Sequence, residues 1–472
     1  MTRLWQRLLF ALLLVAILFV GARRRAVWRE ELVDKGIGGD GLHYWWMAVH
    51  LEKEHAISLD GKVPTWTRLP GFPALLAVTT SPQISWDGPS DKDAIKARVQ
   101  AWLKRMKRVN NWVDLLAAVP LALLGLLLGG GLGALIGAAA WAVLPWSSVL
   151  AMHPLSDPLS TTLTALALVA IARALRDGRA GQFALAGALV ALGQYVRPDA
   201  IFLVPLLVLA GLVRRGPLRE RLRLGAIAVA TYLVVFAPWP IRNKLEFGEA
   251  HFFAGVAGVD AKGKPLDREP AFRWLRTWVA GGETATVNVA WKFPSLPMWI
   301  NEVPGEAFDS PEERAEVQQI LMDYNHLGAK LDDGLVARLD AVSRARRSRD
   351  WMRFWVRLPW ARLSSVLFPP RDGFRMGTLP TLQAERDGWI RADRVMVLVG
   401  LFGLVVAARR SWMARLLLLW LLVRFAVPVW LPVTEPRYLL PTLPVIYAGV
   451  AALVGEVWRA AARLAAPTRR SA

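Results

Sequence analysis

The sequence predicts an all-α polytopic membrane protein, and three observations lead to this fold class. Apolar residues make up 54% of the 472-residue chain. From Leu115 to Ser156 there is no Asp, Glu, Lys or Arg, which is enough for two membrane spans of about 20 residues each. The chain also has 23 Trp, a residue enriched where a membrane meets water. Such long uncharged runs are not expected in a soluble multidomain protein.

The charged residues agree with this class. The net charge of +20 does not indicate nucleic-acid binding, because the basic residues fall largely between apolar segments, as the positive-inside rule requires. The lack of cysteine excludes disulfides, cysteine-ligated metal sites and thiol nucleophiles. At the N-terminus, Gly21-Ala22 runs directly into Arg23-Arg24-Arg25 and offers no convincing cleavage site, so this segment is predicted to be an uncleaved first span.

Ten stretches are candidates for crossing a hydrocarbon core roughly 30 Å thick. The fifth, sixth and eighth are short, and Gly129-Gly130-Gly131 and Gly178 mark tight reversals between spans. The stretches are 4–21, 113–129, 132–150, 155–175, 182–196, 200–213, 224–238, 395–408, 413–431 and 438–457.

The arginines of the short loops predict the orientation. Fifteen lie on the side of the N-terminus, and only Arg197 and Arg437 lie in the opposite short loops, so both termini are predicted to be cytoplasmic. The run Arg23–Arg25 argues the other way, but it opens a long loop, and long loops translocate largely regardless of charge. The fifteen are Arg173, Arg176, Arg179, Arg214, Arg215, Arg219, Arg221, Arg223, Arg409, Arg410, Arg415, Arg459, Arg463, Arg469 and Arg470.

This topology divides the chain into three regions. Residues 1–238 form an N-terminal membrane region of about seven spans, which includes an external loop at 22–111 with the predicted catalytic residues. Residues 239–394 form an external insert, and residues 395–472 supply three spans and a cytoplasmic tail. Within the insert, Ser310-Pro311-Glu312-Glu313 predicts a helix start.

Near its end, the insert carries a basic and aromatic segment at Ser343–Leu367. Seven arginines alternate there with Trp351, Phe354, Trp355 and Trp360, which suits a helix lying on an anionic membrane surface. A direct role of these arginines in gripping a lipid phosphate is the alternative.

The predicted topology collects the unusual polar residues on the external face. Ionisable groups at membrane boundaries inside a bundle are costly and tend to be paired or functional. For any one of them an ordinary solvated loop charge is the alternative, but their convergence on one side favours a common site. They are Asp40, His153, Asp157, Arg197, Asp199, Arg242, Asn243, Glu435, Arg437 and Tyr438.

Such a group of residues suits one kind of reaction. The arginine guanidinium matches the oxygens of a lipid phosphate or diphosphate. A carboxylate can take a proton from an acceptor hydroxyl, and fixed cations stabilise a departing phosphate. Glycosyl transfer from a lipid phosphate meets all three descriptions.

Six motifs in this order resemble those of the GT-C-fold integral membrane glycosyltransferases, the group that contains protein O-mannosyltransferases and aminoarabinose transferases (glycosyltransferase family 39-like). The resemblance implies a GT-C-like bundle of about ten transmembrane helices with external juxtamembrane helices. The motifs are Asp40 with Tyr44 and Ala48, Arg68-Leu69-Pro70-Gly71-Phe72-Pro73, Asp157, Val196-Arg197-Pro198, Pro238-Trp239-Pro240-Ile241-Arg242-Asn243, and Glu435-Pro436-Arg437-Tyr438.

The resemblance implies transfer of a single sugar, with inversion, from a polyprenyl-phosphate donor to a lipid, glycan or protein acceptor at the outer face. Asp40 is then the general base, and Arg197, Arg242 and Arg437 are candidates for the phosphate. The remaining candidates for substrate binding are Tyr44, Arg68, His153, Asp157, Glu435 and Tyr438. Helix packing for Tyr44 and loop anchoring for Arg68 are equal alternatives.

One departure from the family concerns metal. Many members have a second acidic residue directly after the first, where this chain has Gly41. A divalent metal ion therefore stays only a candidate cofactor, with Asp157 as a source of the second carboxylate. Arg424 lies within the ninth span, where it is expected to pair inside the bundle or line a cavity. The expected location is a bacterial inner membrane, with membrane lipids as partners and no nucleic acid.

Two other functions compete with the transferase. A transporter or lipid flippase suits an intramembrane arginine and short, broken spans, but the two halves of the chain show no repeat. A glycan polymerase or ligase that uses a lipid-diphosphate donor also has an arginine-rich external site. The early Asp40 followed by Arg68-Leu69-Pro70-Gly71-Phe72-Pro73 favours a transferase of single sugars.

Overall fold

The computed structural model describes residues 3–31, 39–82, 91–253, 268–281, 289–290, 292–369, 380–432 and 435–465. These ranges are predominantly helical, and within them the backbone pairs as β-structure only at the single bridge between Ser58 and Pro64. The predicted all-α class is confirmed. The end of the predicted cytoplasmic tail, with Arg469 and Arg470, lies outside the described residues.

The first eleven helices of the described chain precede the insert, and the twelfth begins at its boundary. They are α1 (Arg3–Glu31), α2 (Asp40–Glu54), α3 (Gly71–Thr80), α4 (Lys92–Leu116), α5 (Ala118–Gly129), α6 (Gly131–Val143), α7 (Pro145–Ala151), α8 (Asp157–Asp177), α9 (Ala180–Val196), α10 (Val204–Leu212), α11 (Leu218–Phe236) and α12 (Pro238–Phe247).

Seven further helices follow in the described chain. A 3₁₀ segment at Pro198–Leu203 precedes α10, another at Pro436–Thr442 precedes the last helix, and a π-helical turn lies at Arg353–Arg357. The helices are α13 (Glu269–Leu275), α14 (Pro311–His326), α15 (Asp333–Arg349), α16 (Leu358–Leu367), α17 (Pro380–Ala408), α18 (Trp412–Trp430) and α19 (Leu443–Ala465).

Five helical segments of the described chain are long and apolar enough to cross a membrane, or up to seven if each of two bent helix pairs counts as one span. The bends are 46° between α6 and α7 and 40° between α11 and α12. Each of the ten predicted stretches falls on one or two helices. Several, such as 182–196 within the 17-residue α9, are shorter than a full span. The protein is an integral membrane protein.

The chain forms two compact units. The first takes in the described residues of Met1–Ala254, Arg375–Leu421 and Leu440–Ala472, and the second those of Gly255–Phe374 and Leu422–Leu439. The predicted region boundaries at 238/239 and 394/395 stay a prediction.

Small residues let the helices of the first unit approach closely. A Cβ placed on Gly129 or Gly133 would collide with the backbone of Ala451 in α19, and one on Gly400 would collide with the Ile446 carbonyl. Lipid is as apolar as the side chains, so close backbone packing is a main source of helix association in a membrane. Glycines therefore join α5 and α6 to α19.

A buried ion pair connects α1 to α4. Arg25 donates to Asp114 in a short ion pair, and its other amino group donates to the Trp141 carbonyl at 3.2 Å and to Ser147 at 3.4 Å. Only 2% of Arg25 and none of Asp114 is exposed. The predicted first span at 4–21 lies within α1, which continues to Glu31, so the predicted external segment 22–111 begins inside this helix and Arg25 is buried in the bundle. The external location of 22–111 stays a prediction.

The second unit has an apolar core of its own. Trp274 of α13, Phe293 and Tyr324 of α14 pack together, with ring centroids 6.0 and 5.1 Å apart. The predicted helix start is confirmed, since α14 begins at Pro311 and Ser310 accepts a hydrogen bond from the Glu313 amide at 3.2 Å. This unit is therefore a helical assembly with its own buried aromatic centre.

Candidate functional site

Asp40 forms an ion pair with Arg68. Asp40 is the first residue of α2, where its negative charge is favoured by the helix dipole. Arg68 donates to its carboxylate in a short ion pair, with 29% of the Asp40 side chain and 17% of the Arg68 side chain exposed. The two residues are 28 positions apart, so the loop after α2 folds back over the start of that helix.

The loop that carries Arg68 is held by packing on both sides. The Arg68 guanidinium lies 5.8 Å from the centre of the Tyr44 ring, and Tyr44 packs edge-on against Phe72 at 5.1 Å. At the start of α3, a Cβ on Gly71 would lie 2.8 Å from the Tyr195 carbonyl oxygen. Only glycine permits this approach, which places the arginine-proline-glycine motif against the end of α9.

The turn before α8 meets α2 and α4. The Tyr44 hydroxyl lies 3.1 Å from the Ser156 hydroxyl, and Gly41 is so close to Pro154 that a Cβ would collide with its ring. The Asn110 side chain donates to the His153 carbonyl at 3.0 Å. His153 thus lies in a turn that is fixed from two helices.

Asp157, the first residue of α8, is completely buried. Its Oδ1 accepts a hydrogen bond from Arg197 at 3.0 Å, and Arg197 also lies 3.5 Å from the carboxylate of Asp199. The second carboxylate oxygen of Asp157 has no hydrogen-bond partner among the described residues. Ser156, which precedes Asp157, contacts Tyr44, and the Arg68 guanidinium lies beside the Tyr44 ring, so Tyr44 connects the two ion pairs.

His43 was not assigned a role from the sequence, but it belongs to this group. Burial lowers the pKa of His43 below its ordinary value of 6.5, and the positive charge of Arg68 lowers it further, whereas the charge of Asp40 raises it. The net shift favours the neutral form of the imidazole. The sequence did not predict that Asn110 and Ser156 contact this group of residues. For Asn110, the available signal was the pair of asparagines at 110–111, directly before the second apolar stretch.

Arg242 contacts the loop that carries Arg68. It donates to the Thr65 carbonyl at 2.8 Å, to the Asn243 side chain at 2.9 Å and to the Ile57 carbonyl at 3.4 Å. In the same region, Trp66 stacks on His251 with ring centres 3.9 Å apart. These contacts attach the loop to α12. The expected contact of Arg242 with a phosphate stays a prediction.

Glu435, Arg437 and Tyr438 belong to the second compact unit. Arg437 forms an ion pair with Glu435 at 2.6 Å, and its guanidinium lies 5.6 Å from the centre of the Tyr438 ring. Arg424, which is 4% exposed, donates to the Tyr438 carbonyl at 2.9 Å. The motif at 435–438 therefore folds as one local cluster, and its predicted part in substrate binding stays a prediction.

The described residues do not form a metal centre. Among them no three His, Cys, Asp or Glu side chains converge to hold a metal ion. Asp40 and Asp157 each have an arginine as the neighbouring cation. Two carboxylates, each paired with an arginine and with no third His, Cys, Asp or Glu converging on them among the described residues, are too few ligands for a divalent metal.

One family comparison covers part of this site. Residues 113–241 match the family model for dolichyl-phosphate-mannose-protein mannosyltransferase. The predicted resemblance is confirmed for this segment. It contains His153, Asp157 and Arg197, whereas Asp40, Arg68 and the motif at 435–438 lie outside it. No curated protein matches the chain in a sequence search.

Solved structures similar to this chain include an apo oligosaccharyltransferase from Archaeoglobus fulgidus, with 13% identity, 96% of this chain and 52% of that chain covered, and a TM-score of 0.48. ArnT from Cupriavidus metallidurans bound to undecaprenyl phosphate has 14% identity and a TM-score of 0.39, with 98% of this chain and 79% of that chain covered. The chain spans about half the length of the oligosaccharyltransferases. Similarity at this level assigns no activity or residue role.

Proposed function

We propose that this protein is a membrane glycosyltransferase that moves a single sugar, with inversion, from a polyprenyl-phosphate donor to an acceptor at the outer face of the membrane. The acceptor is a lipid, glycan or protein hydroxyl or amine. Support comes from the family match over residues 113–241 and from the membrane-spanning helices around the paired carboxylates.

The observation that carries the proposal is the difference between the two carboxylates of the site. Asp40 is 29% exposed, whereas the Asp157 side chain is 1% exposed. A general base must reach the proton that it removes, so Asp40 is suited to contact an acceptor and Asp157 is not. Arg197 compensates the buried charge of Asp157, which suits a role in shaping the pocket.

In the proposed step, the acceptor oxygen or nitrogen attacks the anomeric carbon of the donor sugar as Asp40 takes its proton. The bond between the anomeric carbon and the phosphate oxygen breaks, and its electron pair leaves with the polyprenyl phosphate. Arg68, which already lies beside Asp40, can turn to the phosphate and stabilise the charge that develops there. Transfer of Arg68 from Asp40 to the donor would also free the base.

Other residues are proposed to line the site. Arg197 is the second candidate for the phosphate, with Tyr44, His153 and Asp157 around it. Arg242 supports the loop of Arg68 as well as being a phosphate candidate. Glu435, Arg437 and Tyr438 are retained for substrate binding on the motif alone. No step through a metal is proposed.

The proposed location is a bacterial inner membrane, with both termini in the cytoplasm and the site on the external face. The fifteen arginines of the short loops support this orientation. The donor lipid then reaches the site from within the bilayer, and nucleic acid has no part in the reaction.

Substitution of Asp40→Asn tests the proposal. A strain that lacks the gene receives the wild type, Asp40→Asn or Asp93→Asn at equal membrane abundance, and its envelope glycolipids and glycoproteins are compared by mass spectrometry. Asp93 is a matched control, because it is an exposed acid in the first turn of α4 within the same external loop. We expect a one-sugar mass difference with the wild type and Asp93→Asn, reduced at least about 100-fold in Asp40→Asn because a general base contributes roughly that much.

The result also separates the alternatives. Full activity of Asp40→Asn would contradict the role of Asp40 as base and favour a flippase or transporter. Transfer of whole glycan chains from a lipid-diphosphate donor would instead identify a polymerase or ligase.

A further inference from the structure

The second unit presents a continuous aromatic surface on the helical segment that follows α15. Three tryptophans and two other apolar residues are exposed there, at 40–64% of their surface. We call this surface the tryptophan face. It consists of Trp351 (59%), Met352 (40%), Trp355 (55%), Val356 (48%) and Trp360 (64%).

The opposite side of the same segment is fixed in the unit. Phe354, Leu358 and Val366 are 4–8% exposed. Arg362 is 2% exposed and donates to the Val279 carbonyl at 2.8 Å and to the Val429 carbonyl at 3.1 Å. Burial lowers the pKa of Arg362 to about 10, with the neighbouring charge of Arg276 as the second cause. If the segment rotated to bury the tryptophans, these contacts would break. The packing of the opposite side therefore keeps the tryptophans exposed.

A π-helical turn brings Trp360 onto the tryptophan face. Pro359 has no amide hydrogen and clashes with the carbonyl four residues before it, so a regular α-helix is disfavoured at this point. The wide turn at Arg353–Arg357 accommodates the proline by adding a residue to the turn. Trp355 and Trp360, five positions apart, are consequently exposed together.

The arginines around this surface divide into two groups. Arg346 pairs with Asp309 at 3.0 Å and with Glu313, and Arg353 pairs with Asp309 at 2.7 Å. These side chains and the buried Arg362 are bound within the protein. They are therefore not available to bind a lipid phosphate, which the sequence-based alternative assigned to all the arginines of this segment.

The second group faces outward. Arg344 is exposed, and 70% of the Arg357 side chain is exposed, with its nearest carboxylate, Asp350, at 3.9 Å. Asp350 is the single acidic residue of Ser343–Leu367. Arg357, which lies between Trp355 and Trp360 in the sequence, therefore adds a largely exposed positive charge to the segment that carries the tryptophan face.

We propose that the tryptophan face docks on the anionic lipid surface of the membrane. Indole rings are favoured at the level of the lipid headgroups, and arginines beside them attract anionic lipids. The unit lies in the chain between apolar helices, α11 before it and α18 at its end, so the bilayer is always within its reach. The inference rests on membrane integration and does not depend on the glycosyltransferase proposal.

A single-cysteine label tests this docking, because the natural chain has no cysteine. Full-length Trp355→Cys is labelled with an environment-sensitive fluorophore and reconstituted into vesicles of phosphatidylglycerol and phosphatidylcholine, or of phosphatidylcholine alone. Gln318→Cys is the matched control, since Gln318 is exposed on the polar side of α14 in the same unit. Lipids with a nitroxide near the headgroup serve as the quencher.

We expect quenching of the Trp355→Cys label by about twofold or more in anionic vesicles, less in neutral ones, and little quenching of the Gln318→Cys label. Val356→Cys should behave like Trp355→Cys, and it replaces that variant if the latter misfolds. Equal quenching of the label at both control and test positions would overturn the proposal. Labels that the lipid does not quench, but that transfer energy between copies, would show that a second copy of the chain covers the face. Equal quenching in the two kinds of vesicle would overturn the anionic assignment.

Discussion

Each carboxylate of the candidate site lies beside an arginine, but the two pairs differ in their environment. The Asp157–Arg197 pair is the more buried one, and the Asp40–Arg68 pair is open enough to meet a substrate. Breaking a buried pair by removing one partner is far more costly than breaking an exposed one, because the remaining charge stays without compensation. The buried pair is therefore expected to contribute more to stability than the exposed pair does.

Removal of Arg197 tests this expectation. Arg197→Ala should lower the free energy of unfolding by about 3–5 kcal/mol, because Asp157 then stays buried and charged without its partner. The double variant Arg197→Ala/Asp157→Asn should recover part of the loss. Thermal unfolding in detergent, analysed as a double-mutant cycle, measures both. Strictly additive losses would contradict the direct pairing of these residues.

At the scale of helices, the first unit depends on close contacts at glycine. Gly133 of α6 faces the backbone of Ala451, whereas Gly131, at the start of the same helix, has no atom nearer to its Cβ position than Phe10 at 3.9 Å. The two positions lie two residues apart but meet very different surroundings. A side chain at Gly133 must separate α6 from α19.

The two glycines make a matched pair of substitutions. Gly133→Ala should destabilise the protein by about 1–3 kcal/mol, since overpacking displaces a helix. Gly131→Ala should leave stability nearly unchanged, because alanine has room and suits a helix. The comparison requires the thermal midpoint and the monodisperse fraction in size-exclusion chromatography. Equal sensitivity at both positions would mean that α6 and α19 do not pack through Gly133.

At the scale of the whole molecule, orientation is the property on which the proposed function depends. The run Arg23–Arg25 was the one observation against cytoplasmic termini. Arg25 pairs with Asp114 inside the bundle, and Arg24 lies over the rings of Trp28 and Trp389, at 5.3 and 4.7 Å. The positive-inside bias is counted over short loops, and Arg23–Arg25 opens the long segment 22–111, so this run weighs less than the fifteen arginines of the short loops.

Cysteine labelling checks the orientation directly. Gln318→Cys should react with a membrane-impermeant maleimide on intact spheroplasts, while Glu220→Cys should react only after the membrane is opened. Both positions are exposed, Glu220 at the start of α11 and Gln318 in α14, and the chain has no other cysteine. The opposite pattern would place the candidate site in the cytoplasm and contradict the proposed reaction at the outer face.

The location of the helices was largely readable from the sequence, whereas the bounds of some were not. All ten predicted apolar stretches fall on helices, because a long uncharged run is a local property. The span predicted at 4–21 ends ten residues before α1 does, because Arg23–Arg25 end the apolar run but not the helix. Arg25 is accommodated inside the bundle through its ion pair with Asp114, which lies 89 residues away in the sequence.

The sequence alone determined that this is a membrane protein and which stretches are apolar, because composition and short spacing are local. The tertiary structure decided the partners: Asp40 with Arg68 across 28 positions, Asp157 with Arg197 across 40, and Arg242 with the Thr65 carbonyl across 177. Which charge meets which depends on how helices pack, and packing is set by contacts between residues far apart in the chain.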